Sequence, residues 1–351
     1  MGLNIMVILK SVVDNLKGRD LITTQDWSIE ELRVAIDLAR ELKRQYYYLG
    51  IERMPKYLDR KTFIMLFYAP STRTRSAFET AMTILGGHAQ YIEPKMTRIG
   101  EGEAIKDVAK MYEIYGQALG IRILDKAIDF KWGEGHKVIL EYAKYAKIPV
   151  INMADDQEHP TQALGDLMTI EEKLGKVEKK KFVIMWAYSP VLRGPCSIIA
   201  DMLIATRFGM DVVIAHPPGY ELPEKVLEIA RKNAIESGGS LEIMNDYREA
   251  LRGAHVVFPR NWCSQKLMEL GASVYGKQEL ENYSKFKNWR LKMEDLDLMD
   301  KKGIITHVLP VFRGYEADDE VMDSERSVIY EQAENNMWAK AAVLVLTMGG
   351  L

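Results

Sequence analysis

The sequence predicts an α/β protein of two parallel-sheet domains, and three observations carry that prediction. Short apolar runs alternate with amphipathic helical segments through most of the chain. The alternation breaks once, at the lysine-rich stretch Lys173–Lys181, and then restarts. At 351 residues the chain can bury two separate cores.

Taken in order, the first element is a helix within Thr24–Tyr48, with Ser28 as N-cap, Glu30 and Glu31 in its first turn, and a stripe of Leu32, Ile36, Leu38 and Leu42. Residues 62–86 read as a buried strand that turns at Pro70 into a helix capped by Ser71, with Phe78, Met82 and Leu85 on one apolar face. His88–Ile92 is a second strand, and 93–103 is a polar loop with one proline and two glycines. A helix over 104–115 leads to a strand ending at Ile121-Arg122, then a helix over 135–146 and a strand Pro149–Met153. A helix over 161–174 bridges to the second domain. Five lysines in 173–181 form a solvated turn. The boundary is placed near residue 157, giving domains 1–157 and 158–328, with the C-terminal helix of 329–351 packing back on the first. The second domain reads as strands at 182–187, 211–215, 240–244, 255–259 and 304–309, with helices at 196–208, 223–236 and 247–252.

Composition excludes several classes. Forty-seven basic against 50 acidic residues give a formal charge of −3, which draws the molecule neither to nucleic acid nor to acidic lipid. No window approaches a membrane span, and the N-terminus lacks the basic region and cleavage site of a signal peptide. Cys196 and Cys263 form neither a CxxC pair nor a metal-ligand spacing, so a reducing cytoplasm is the simplest compartment.

Open parallel sheets bind ligands at the carboxyl ends of their strands. Arg73, Arg122, His159, Arg193, Arg260 and His307 all fall there, which predicts an occupant with at least two negative charges. At Ser71-Thr72-Arg73-Thr74, free helix N–H groups, hydroxyls and a guanidinium converge as a compact anion requires, although a capped helix with solvated arginines has the same sequence. Arg73 and Arg75 cannot face the same way, so Arg73 is assigned to the anion and Arg75 to a structural ion pair. In His159-Pro160-Thr161-Gln162 the proline holds His159 extended and Gln162 follows on the first turn, so the pair could grip one carbonyl oxygen; a buried core histidine is the alternative.

With Ser71-Thr72-Arg73-Thr74-Arg75, Arg122, His159-Pro160-Thr161-Gln162 and His307-Val308-Leu309-Pro310 in this order, nearly the whole chain resembles the aspartate/ornithine carbamoyltransferase family. The resemblance implies two Rossmann-like domains, the first binding carbamoyl phosphate and the second the amine acceptor. It also implies a homotrimer with interface active sites and carbamoyl transfer without metal or organic cofactor. Carried over by position, Ser71, Thr72, Arg73 and Thr74 bind phosphate, Arg122 bridges phosphate and carbonyl oxygen, and His159 and Gln162 bind the carbamoyl group. Arg73, Arg122, His159 and Gln162 are then the catalytic set.

The acceptor side departs from the family. Phe258-Pro259-Arg260-Asn261-Trp262-Cys263-Ser264 replaces the Asp-x-x-x-Ser-Met-Gly of anabolic ornithine enzymes, and Val308 replaces the cysteine of His-Cys-Leu-Pro, so plain ornithine is not expected. An arginine near Arg260 holds a carboxylate in aspartate enzymes, which keeps an acidic acceptor open. Residues 186–195, 207–211 and 237–240 look most like the knotted branch, which contains N-acetylornithine and N-succinylornithine carbamoyltransferases and relatives of undefined substrate. There a loop matching Ser189–Pro195 is threaded by one matching about 260–275. The acceptor residues on this reading are Arg193, Arg260, Trp262, His307, Leu309 and Arg313, with Trp262 either walling the pocket or belonging to the core. Loop 93–103 reaches a neighbouring subunit's site, with Glu101 near the expected position and Lys95 or Arg98 as substitutes. Two other classes remain: a non-catalytic relative, and a nucleotide-dependent oxidoreductase, which the missing G-x-G-x-x-G disfavours.

Overall fold

The computed structural model describes residues 11–351. The described residues divide into two compact units, the first comprising 11–127, 133–165 and 334–351, the second 128–132 and 166–333.

The first unit holds a four-stranded, all-parallel sheet in the order β2-β1-β3-β4. Its strands are β1 (Thr62–Phe67), β2 (His88–Ile92), β3 (Ala118–Arg122) and β4 (Val150–Asn152). The helices are α1 (Ile29–Leu49), α2 (Arg73–Ile84), α3 (Ile105–Tyr115), α4 (Glu134–Tyr145) and the start of α5 (Pro160–Leu174). Helix α1 opens with a capping box, Ser28 N donating to Glu31 and Glu31 N to Ser28 Oγ. Its buried stripe runs through Leu32, Ala35, Ile36, Ala39 and Leu42, and Leu38 sits at the edge rather than within it. Loop 93–103 contains two short 3-10 turns, Pro94–Met96 and Arg98–Glu101.

The second unit holds a five-stranded, all-parallel sheet in the order β7-β6-β5-β8-β9. Its strands are β5 (Lys181–Trp186), β6 (Asp211–Ala215), β7 (Ser240–Met244), β8 (Val256–Arg260) and β9 (Ile304–Ile305). They are connected through α6 (Cys196–Arg207), α7 (Glu224–Ser237), α8 (Tyr247–Leu251), α9 (Gln265–Leu270) and α10 (Ala272–Tyr283), with α11 (Asp319–Met322) and α12 (Ile329–Thr347) following β9. Helix α6 is buried along nearly its whole length, as a helix between sheet and further chain must be.

Two sequence expectations change. Where a loop was expected over about 260–275, Ser264 caps α9 by accepting from Leu267 N, and Gly271, with φ of 88°, separates α9 from α10. The strand expected over 304–309 stops at Ile305, because His307 N donates to Gln332 Oε1 instead of continuing the ladder, and Leu309 takes a left-handed φ of 55°.

The division between units falls inside α5 and α12. At Gly165 an added Cβ would lie 2.7 Å from Asn336 Cα, so only glycine lets these two helices approach so closely.

Candidate active site

In each sheet the strand order reverses at one place, between β1 and β3 in the first and between β5 and β8 in the second. That switch point is where an open α/β sheet leaves a crevice. Arg122 closes β3 opposite Phe67 of β1, and Arg73 opens the helix that follows β1. In the second unit Arg260 closes β8 opposite Trp186 of β5, and Arg193 lies in the loop after β5.

The turn from β1 into α2 forms where the sequence places it. The residue just before the helix is Thr72, which makes no side-chain cap bond, and Ser71, one position earlier than that, accepts from Thr74 N at 3.1 Å through its Oγ; Thr72 and Arg73 are exposed and Thr74 is buried. Arg75 turns away to Glu79, with Nε 2.9 Å from Oε1, and stacks over the Tyr91 ring at 3.7 Å. It is the structural arginine of the pair.

His159 and Gln162 come from the other end of the unit. Pro160 occupies the first position of α5, where its missing N–H costs nothing. His159 is left as the capping residue, its carbonyl accepting from Gln162 N at 3.0 Å and Ala163 N at 3.1 Å. The imidazole is buried, and Nε2 lies 3.4 Å from Thr74 Oγ1, a residue 85 positions away. Nδ1 is buried with no hydrogen-bond partner among the described residues. Burial, then the nearby Lys340 and Arg122 charges, hold His159 well below the ordinary histidine range, so the ring is neutral. Arg122 Nη1 donates to Met153 O at 3.2 Å.

An acidic loop fixes His159 in place. Asp155 Oδ1 accepts from Gln157 N at 2.8 Å and Glu158 N at 2.6 Å, and its Oδ2 meets His136 Nδ1 at 2.7 Å. Asp156 accepts from Gly133 N and His136 N, capping α4. Glu158 Oε1 accepts from Thr24 N at 2.6 Å, yet burial pushes its carboxyl up to about 8. Burial and the neighbouring Asp155 raise Asp156 to about 6.

In the second unit the expected acceptor residues divide. Arg260, His307 and Leu309 gather around Glu316, a buried carboxylate that the sequence analysis passed over. Arg260 Nη1 lies 3.7 Å from Glu316 Oε1 and donates to Pro310 O at 3.1 Å. Leu309 N donates to His307 Nδ1 at 2.9 Å, and His307 Nε2 lies 3.6 Å from Glu316 Oε2, short of a hydrogen bond. Arg193 stacks at 5.0 Å over Phe312 of the same loop. Arg313 stands apart, paired with Asp319 at 3.3 Å and Asp323 at 2.7 Å. Trp262 is fully buried with Nε1 donating to Tyr220 O at 2.9 Å, so it belongs to the core.

Lys340 is the second residue the sequence reading missed. It is buried on α12, its Nζ 3.1 Å from both Asn336 O and Asn336 Oδ1 and 5.7 Å from the Phe78 ring centre, within electrostatic reach of His159.

This chain is similar to known proteins over most of its length. The family model for the aspartate/ornithine carbamoyltransferase carbamoyl-P binding domain matches residues 19–172, and that for the Asp/Orn binding domain matches 157–347. An ornithine carbamoyltransferase of Pyrococcus abyssi is 38% identical over 97% of this chain and 99% of its own. The solved ornithine carbamoyltransferase from Pyrococcus furiosus superposes with a TM-score of 0.83 at 36% identity, covering 96% of this chain and 99% of that one. A variant N-acetyl-L-ornithine transcarbamylase, complexed with carbamyl phosphate and N-succinyl-L-norvaline, gives a TM-score of 0.84 at 29% identity over 93% of this chain and 99% of that one. Among the described residues no helix is long and apolar enough to cross a membrane. The chain therefore belongs to the aspartate/ornithine carbamoyltransferase family and is a carbamoyltransferase.

Proposed function

We propose that the protein transfers the carbamoyl group of carbamoyl phosphate to the amine of a carboxylate-bearing, amino-acid-like acceptor and releases phosphate. The observation that carries this reading is the meeting of Thr74 and His159 at 3.4 Å, which joins the helix start after β1 to the loop after β4. Ser71, Thr72, Arg73 and Thr74 hold the phosphate on the first turn of α2. Arg122 spans phosphate and carbonyl oxygen from the neighbouring strand. The one N–H of the neutral His159 ring, and Gln162, donate to the carbonyl oxygen, where negative charge grows as the neutral amine attacks. The tetrahedral intermediate collapses by breaking the bond from carbon to the phosphate ester oxygen. The amine proton leaves with the phosphate, giving a ureido product and hydrogen phosphate, so no separate base is needed.

The first domain, 1–157 with 329–351, is on this reading the carbamoyl phosphate domain, and 158–328 binds the acceptor. The names of the relatives bring ornithine and N-acetylornithine to the head of the acceptor panel. The same reading makes the active form a homotrimer, with loop 93–103 entering a neighbour's site. Arg98 pairs with Glu101 inside that loop while Lys95 is exposed, which favours Lys95 as the residue presented. The knot of the second domain is part of the proposal, supported by Cys263 N donating to Arg193 O at 2.9 Å between the two loops concerned.

The test is a colorimetric ureido assay with carbamoyl phosphate and ornithine, N-acetylornithine, N-succinylornithine and aspartate. Turnover with at least one acceptor, lost in Arg73→Ala, supports the reading. Carbamoyl phosphate binding without turnover on any amine would favour the non-catalytic relative.

A further inference from the structure

Glu316 lies between β9 and α11 and is fully buried. Its two oxygens collect groups from three stretches of chain. Oε1 accepts from Asn261 N at 3.1 Å and lies 3.7 Å from Arg260 Nη1. Oε2 accepts from Phe312 N at 2.8 Å and lies 3.6 Å from His307 Nε2. Burial alone would raise this carboxyl, but the Arg260 charge and the Phe312 N–H hold it below the usual carboxylate range. His307 itself is uncharged: burial lowers it to about 4, and Nδ1 accepts from Leu309 N, which leaves its proton on Nε2. Arg260 is the cation within ion-pair range of Glu316, and Arg193, stacked on Phe312, adds a second positive charge nearby.

That arrangement bears on acceptor choice, because Arg260 is the residue that keeps an acidic acceptor open on sequence grounds. We propose that Glu316 is a specificity-determining residue that occupies the Arg260 guanidinium and so fits the acceptor domain to amines bearing one carboxylate rather than two. The inference rests on the reading of the second unit as the acceptor domain. A second substrate carboxylate brought to Arg260 would have to displace Glu316, leaving an unpaired buried anion, or share the guanidinium with it at close range. Both arrangements penalise the dicarboxylate selectively and leave the monocarboxylate untouched.

The experiment measures kcat/KM for a one-carboxylate acceptor, ornithine or N-acetylornithine, and for aspartate, at saturating carbamoyl phosphate. It compares the full-length wild-type chain with Glu316→Gln, Arg260→Met and the double variant. Glu316→Gln should lower the preference for the one-carboxylate acceptor at least tenfold by freeing Arg260. Arg260→Met leaves Glu316 without its counter-charge and should depress both acceptors. The double variant, which removes the Arg260–Glu316 pair together, should recover the one-carboxylate acceptor to within about tenfold of wild type. An unchanged preference in Glu316→Gln overturns the inference, as does a double variant no better than Arg260→Met, since Arg260 would then hold substrate itself. Should Glu316→Gln fail to bind carbamoyl phosphate, the comparison of the double variant with Arg260→Met decides alone. A wild-type chain inert toward every amine would overturn the proposed function as well, whereas an active wild type with an unaltered preference in the variants overturns only this assignment.

Discussion

Replacing His159 by asparagine removes a neutral imidazole from a buried site while keeping a smaller amide in its place. The ring has one polar atom, Nδ1, without a partner among the described residues, and the other 3.4 Å from Thr74 Oγ1. On the proposed mechanism it has an oxyanion to stabilise. Loss of one preorganised donor to a developing oxyanion costs ~10²–10³ in kcat, or about 2.7–4 kcal/mol. The fall should appear in kcat far more than in the KM for carbamoyl phosphate, because the interaction strengthens only as charge grows on the carbonyl oxygen. Because burial, Lys340 and Arg122 keep the ring uncharged, wild-type kcat should also show no step from this histidine between about pH 6 and about pH 8. The assay is steady-state ureido formation, with circular dichroism melting to confirm folding. A variant within tenfold of wild type in kcat, or one that loses only carbamoyl phosphate affinity, would refute the reasoning.

Three further outcomes follow from the same geometry. Lys340→Met removes the cation that, after burial, most disfavours the charged ring, so the His159 pKa should rise in a histidine NMR titration assigned by difference from His159→Asn. Arg75→Ala should leave kcat unchanged and cost at most about 1 kcal/mol by calorimetry, because the pair with Glu79 is 44% and 36% exposed and only the stacking on Tyr91 adds to it. Glu158 is raised in the folded protein to about 8, so its contribution to stability is present below its unfolded value near 4.5 and is lost as pH climbs through about 8. Thermal melting from about pH 5 to about pH 9 should therefore fall more steeply in wild type than in Glu158→Gln, whose amide oxygen still accepts from Thr24 N.

The local structure of the proposed phosphate half of the site was legible because its signals are local. A strand ends where apolar residues give way to Pro70 and Ser71, and the cap, the helix start and the Arg75–Glu79 spacing all follow from neighbours within one turn. Arg122 was readable for the same reason, as the polar residue that closes an apolar strand. The acceptor side depends on distant partners. Glu316 in Gly314-Tyr315-Glu316-Ala317 reads as a surface acid, and only the folded chain brings Asn261 and Phe312 N–H groups to it. Lys340, alone between Ala339 and Ala341, reads as the polar edge of a helix that is in fact buried there. The apolar run at 304–309 suggested a full strand, but a side chain, Gln332, takes the His307 N–H and ends the ladder. Helices α9 and α10 carried usable signals in Ser264 and Gly271, which expectation of a threaded loop overrode.

On the proposed function carbamoyl phosphate is the donor, its carbamoyl carbon goes to the acceptor amine and its phosphate is released. Paired carbon and phosphorus NMR on wild-type enzyme with carbon-13-labelled carbamoyl phosphate and the best acceptor of the panel tests it directly. A ureido carbon signal should grow in step with the inorganic phosphate formed above the enzyme-free background, and both should slow by ~10²–10³ in His159→Asn. Phosphate growing above that background without a ureido carbon would contradict the proposed function.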